Sequence, residues 1–135
     1  MNIPKKGFTI LELLVTIMIL GILATLSIQH LSSSREMALE KEAISNLKLI
    51  IAGEKSYRLE TESYITLANV GDINTNLGLA LSGLNWEYQT VADNAATPPT
   101  VDARARRTVG TTPTVFCLDQ DQDEVDREGV NGCAW

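Results

Sequence analysis

Between Phe8 and Ile28 the chain reads FTILELLVTIMILGILATLSI, and Glu12 is the one residue of that run with a formal charge. As a helix the run spans about 30 Å, enough for one membrane crossing. It cannot belong to the core of a small soluble domain. A carboxylate in such a run costs about 2.5–3.5 kcal/mol at the bilayer centre and marks function by default. Lys5 and Lys6 precede the run. Their charge keeps that end in the cytoplasm and sends the rest of the chain outward.

An ordinary secretory signal has a shorter apolar region and ends at a small-residue cleavage site. Here the run passes into LSSSREMALEKEA, which offers no such site. A conventional cleaved signal and a plain membrane anchor stay open as competing readings.

The stretch KGFTILELLVTIMILGIL resembles the N-terminus of the type IV pilins and of the related pseudopilins of type II secretion. The match runs from Lys6 to about Leu23; the rest of the chain resembles that family only in layout. The resemblance implies that a prepilin peptidase cuts between Gly7 and Phe8 and methylates the new amine of Phe8. It places Glu12 at the family's glutamate position, the fifth residue of the mature chain. It also implies an assembly platform and an ATPase that supply the work of assembly.

The physical reading agrees. Cleavage creates a positive amine at the edge of an apolar rod, and Glu12 supplies the opposite charge. Within one helix residues i and i+4 share a face, so Glu12 can meet the Phe8 end of its own chain or that of a neighbour. Pairing the two charges costs far less than leaving one bare. The intermolecular version also sets the axial register between subunits. Relatives often carry a proline near the end of the apolar segment. Gln29 stands there instead, and Gly21 and Ser32–Ser34 are the weaker points of the helix.

From Arg35 to about Glu60 no proline intervenes, and Leu39, Ala43, Leu47 and Ile51 recur every four residues, widened by Ile44 and Ile50. Glu36, Glu40, Lys41, Lys48, Glu54 and Lys55 largely take the other positions, with Glu54 and Arg58 as a favourable pair. This predicts an amphipathic continuation with an apolar face for a small sheet. His30, the single histidine, falls where the apolar run ends and is read as a surface or interface residue.

Beyond the helix, GDINTNLGLALSG reads as a short helix with Asp72 as N-cap and Ser82–Gly83 as its stop. NWEYQTV, TVDARARRTV and TPTVFCLDQ have strand character, with Trp86, Tyr88 and Thr90 on one face. The predicted fold is α+β: a long N-terminal helix packed against an antiparallel sheet of three or four strands. The expected organisation is a leader at 1–7, a transmembrane and assembly helix at 8–28, its amphipathic continuation at 29–60, and a head at 61–135.

Cys117 and Cys133 are the two cysteines. In an exported head such a pair reads as a disulfide contributing about 3 kcal/mol; two free thiols are the alternative for a cytosolic chain. Between them lies LDQDQDEVDREGVNG. Its oxygens at Asp119, Asp121, Asp123 and Asp126 suit calcium, and some major pseudopilins bind calcium in a C-terminal loop. The opening D-x-D-x-D resembles an EF-hand loop, then fails at Glu124 and Val130. A solvated surface loop is therefore the first reading, and calcium the second.

Arg104, Arg106 and Arg107 form a basic cluster in a chain of net charge -6. Ion pairs within or between subunits are preferred there over nucleic acid. The single histidine and the lack of a nucleophile–base pair or phosphate loop argue against an enzyme.

The resulting expectation is a structural subunit of a helical homo-oligomeric filament. It waits in the cytoplasmic membrane as a single-pass precursor with its head outside, then joins a type IV pilus at the cell surface. The alternative is a type II secretion pseudopilin in a periplasmic pseudopilus. A membrane-anchored monomeric binding module is a third reading.

Overall fold

The computed structural model describes residues 7–127 and 133–135, with the side chains of 26–32 outside the description. The elements, in order, are helix α1 (Ile10–Thr61), helix α2 (Val70–Leu77) and strands β1 (Glu87–Asp93), β2 (Thr100–Val109), β3 (Thr112–Asp119) and β4 (Asp126–Arg127). The chain divides into two compact units, Met1–Ala38 and Leu39–Trp135.

In the first unit α1 runs through Gly21 without a break. Its leucines, isoleucines and valine from Ile10 to Leu23 are exposed on every face. A helix apolar all round is one that other protein or lipid must cover. Among the described residues no helix is long and apolar enough to cross a membrane. The expected span of residues 8–28 extends past Thr25 into side chains outside the description, as does His30.

The second unit packs α1 on a four-stranded antiparallel meander in the order β1-β2-β3-β4. Ala43, Leu47, Ile50 and Ile51 of α1 are buried against the inner face of the sheet. That face is set by period-two alternation. Trp86, Tyr88 and Thr90 point inward from β1 and its approach, as do Val101, Ala103 and Ala105 from β2 and Phe116 and Leu118 from β3. Tyr88 stands opposite Ala105, which stands opposite Phe116. The small alanines between large rings let the layer close on the helix. Trp86 and Phe116 meet at 5.4 Å between centroids. Trp86 Nε1 donates to Leu39 O, and Asn46 Nδ2 donates to the Tyr88 hydroxyl.

Three expectations need correction. Helix α2 is capped by Asn69, whose extended backbone lets its side chain accept from Asp72 N, so Asp72 lies in the first turn. The helix stops at Gly78 in a left-handed conformation, before Ser82–Gly83. Glu54, placed on the polar side with Arg58, is wholly buried. It bonds the backbone of Ile65, while Arg58 donates to the Tyr64 hydroxyl. Gly53 explains the close approach of α2: a Cβ there would lie 3.2 Å from Leu77 Cβ.

Candidate functional site

The residues expected to be processed lie at the start of α1. Gly7, Phe8 and Thr9 are outside the helix, which begins at Ile10. Thr9 caps it. Its Oγ1 accepts from Glu12 N at 3.2 Å, and its carbonyl accepts from Leu13 N. The segment T-I-L-E is thus half of a capping box, with the glutamate three residues after the cap. Thr9 is a residue that sequence reasoning missed, although the T-x-x-E spacing was there to read. A carboxylate in the first turn also suits the positive end of the helix dipole.

This cap fixes what surrounds the Gly7–Phe8 bond. Phe8 is 78 % exposed, and a Cβ at Gly7 would meet nothing within 4 Å. The peptide is open to an external enzyme. Phe8 precedes the cap and lies outside the helix that carries Glu12. The arrangement is an open peptide, an exposed carboxylate one turn inside the helix, and an uncovered apolar surface behind it.

The second candidate region is the outer face of the sheet near the C-terminus. Cys117 and Cys133 form a disulfide, with Cα atoms 5.6 Å apart. It is buried with Val115, and Trp135 packs against it. Arg104 and Arg106 project from this face of β2 and hold the C-terminal segment. Arg104 Nη1 donates to Ala134 O, and Arg106 lies over the Trp135 ring at 4.3 Å while pairing with Glu87 at 2.6 Å. Arg104 also pairs with Asp102 at 3.4 Å. Arg107 lies over the Trp86 ring. Arg104 and Arg106 are therefore ion-paired within the chain, as the preference for ion pairs anticipated, while Arg107 is held against a ring.

The four aspartates considered for calcium go to different places. Asp119 and Asp126 line a small cavity of about 110 Å³ with Asp102 and Arg104. Asp121 faces a groove beside Arg58, and Asp123 a cleft beside Lys48. Asp119 Oδ1 is turned back to accept from Asp121 N. Among the described residues no group of three or more histidines, cysteines or carboxylates could hold a metal.

Comparison with known proteins bears on the N-terminal site. Residues 4–28 match the prokaryotic N-terminal methylation motif. The chain is 34 % identical over 68 residues to the type IV major pilin protein PilA of Myxococcus xanthus, covering 50 % of this chain and 31 % of that one. It is 36 % identical over 62 residues to the type II secretion system core protein G of Dickeya chrysanthemi, covering 46 % and 40 %. The core protein G of Escherichia coli is 34 % identical over 62 residues, covering 46 % and 43 %. The chain thus spans less than half the length of these relatives. No solved structure matches. The chain carries a prepilin-type N-terminal motif, and its relatives include a type IV pilin and type II secretion core proteins.

Proposed function

We propose that this chain is a structural subunit of a type IV pilus or pilus-like filament. One observation carries the reading. The methylation motif at 4–28 coincides with a capped helix that is apolar on every face and has a single carboxylate in its first turn.

The sequence of events follows the resemblance to type IV pilins for its processing and assembly steps, and charge and burial for the pairing and packing. The precursor sits in the cytoplasmic membrane as a single-pass protein with its head outside. Prepilin peptidase removes residues 1–7 and methylates the amine of Phe8. That amine then lies at the positive end of a helix dipole and needs a counter-charge. Glu12 is exposed, and we assign a neighbour's Phe8 amine as its partner, because that pairing also sets the axial register between subunits. The pair sets the register, and the apolar helices of neighbouring subunits replace lipid around one another. An assembly platform and its ATPase supply the work, and the heads form the outer surface.

The matches to type II secretion core protein G support a second reading, in which the same chemistry builds a periplasmic pseudopilus. Intact mass of native protein separates the cases, measured on sheared surface material and on membranes. Chains starting at methyl-Phe8 in sheared fibres are expected. The same mature chains confined to membranes favour the pseudopilus. Retention of residues 1–7 in both fractions overturns the proposal.

A further inference from the structure

Between the end of α1 and the start of α2 the chain runs along the free edge of β1, the first strand of the sheet. Leu67 and Thr90 form a single antiparallel bridge there. Thr90 N donates to Leu67 O, and Leu67 N donates to Thr90 O and to Thr90 Oγ1. The rest of the attachment uses side chains. Thr90 Oγ1 donates to Ile65 O, Thr66 Oγ1 accepts from Ala92 N, and the Asn94 amide takes both the N–H and the C=O of Tyr64. A loop of this kind closes an edge that would otherwise stay open. Its turn out of α1 runs through Glu62 at φ 63, a left-handed conformation that is costly for any residue with a Cβ.

Glu54 lies beneath this segment and is 0 % exposed. Its Oε2 takes the Ile65 amide, and its Oε1 is buried with no hydrogen-bond partner. On α1, Arg58 donates to the Tyr64 hydroxyl and lies over that ring at 4.9 Å, while Lys55 lines the groove outside. The segment brings the Tyr64 phenol and, in the groove, Glu62. Strand β1 brings Tyr88, bonded to Asn46, and at its end Asp93, which accepts from Ala95 and Ala96. Among the described residues no ion pair reaches Glu54. Burial therefore favours the protonated carboxyl and holds it above the ordinary 4.5. Once ionised, the carboxylate needs water. Helix α1 and strand β1 are held by their own ladders, so the layer over Glu54 that yields most readily is the segment. Along it runs an open groove of about 660 Å³, lined by Arg58, Glu62 and Tyr64.

We propose that residues 62–67 are a pH-operated cover on the β1 edge: they stay shut while Glu54 carries its proton and lift when Glu54 ionises. Lifting hydrates Glu54 and frees the N–H and C=O of Thr90 and the N–H of Ala92. The shut state is complete at low pH and is lost as pH rises through the raised value of Glu54. Opening of this kind is local, and the core of α1 and the central strands stays packed. The inference does not depend on the filament reading.

The test measures amide hydrogen exchange of the full chain in detergent micelles by NMR, from about pH 4.5 to about pH 8, with each rate divided by its unstructured-chain value at that pH. Protection at Ile65 and Leu67 is expected to fall by about tenfold or more across that range, while Ala103 and Ala105 of β2 keep theirs. In E54Q the protection of Ile65 and Leu67 is expected to stay level. The isotope-labelled Glu54 carboxyl carbon of the parent chain reports ionisation directly, and its midpoint is expected to coincide with that of opening; this arm holds even if E54Q does not fold. Level protection at Ile65 and Leu67 in the parent overturns the proposal. So does a fall shared with Ala103 and Ala105, which is a loosening of the whole head. An undiminished fall in E54Q, or a carboxyl midpoint separate from that of opening, overturns it as well.

Discussion

Glu54 Oε2 accepts the amide hydrogen of Ile65 at 3.1 Å, joining helix α1 to the strand-like segment that follows its end. Thr90 of β1 completes the junction: its Oγ1 donates to Ile65 O and accepts from Leu67 N. Asn94 holds the neighbouring Tyr64 by its backbone amide and carbonyl. A carboxylate is thus used as a structural acceptor where helix, loop and edge strand meet. Its second oxygen, Oε1, is buried without a hydrogen-bond partner.

That position makes head stability depend on pH. Burial pushes the Glu54 carboxyl above its ordinary value of 4.5, against the lowering effect of the Ile65 hydrogen bond. The folded state therefore favours the protonated form. The contribution to stability is fully present below the unfolded value and is lost as pH rises through the raised folded value. Thermal unfolding of the full chain in detergent is expected to show a stabilising component as pH falls towards 4.5 from above. E54Q keeps an acceptor for Ile65 and should remove this component. E54L leaves a buried amide unpaired and should cost about 1–3 kcal/mol. An unchanged pH slope in E54Q would refute the assignment.

At the other end of α1 the cap and the charge can be separated. T9A removes the acceptor for Glu12 N and should cost the helix start about 1 kcal/mol. E12Q keeps a side chain suited to a capping box and removes only the charge. Its monomer should stay helical by circular dichroism, with normal leader removal, while the yield of sheared fibres or pseudopili collapses. Normal assembly of E12Q would sink the charge-pairing role of Glu12.

Much of the fold was legible because two periodicities are strong. The four-residue recurrence of Ala43, Leu47 and Ile51 marked the helix face that meets the sheet, and the alternation Trp86, Tyr88, Thr90 marked the inner face of β1. The N-terminal methylation motif was legible because its residues are contiguous. Glu54 was not, since its partner Ile65 lies beyond the helix end and only tertiary packing buries a carboxylate there. The choice of Asn69 over Asp72 as cap was equally hidden: both side chains can cap, and the extended backbone at Asn69 decides. Nor does sequence spacing reveal that Arg106 stacks on Trp135, because the disulfide brings that ring to β2.

The aspartates of the C-terminal loop give a metal prediction. Asp119 and Asp126 share their cavity with the Arg104 guanidinium, which already neutralises part of its charge, and Asp121 and Asp123 face other clefts. Millimolar calcium or its removal with chelator is expected to leave the melting temperature of the full chain within about 1 °C, since ligand stabilisation grows with concentration over Kd. A calcium-dependent rise of several degrees that D119N and D126N abolish would establish a site and overturn this expectation.

The disulfide closes a loop with a sequence separation of 16. Chain-entropy arguments give such a closure about 3 kcal/mol, acting mainly on the unfolded state. The bond is also buried on the outer sheet face, where it ties the C-terminal segment to β3 beside Arg104 and Arg106. The double substitution C117S/C133S should therefore lose more than the loop term, because two hydroxyls replace buried sulfurs and Trp135 loses its support. C117A/C133A removes the hydroxyl penalty and should fall closer to about 3 kcal/mol. Denaturant unfolding of both variants beside the oxidised and reduced parent chain separates these contributions. If reduction leaves the unfolding midpoint unchanged, the bond is dispensable and the C-terminal segment is held by its arginines alone.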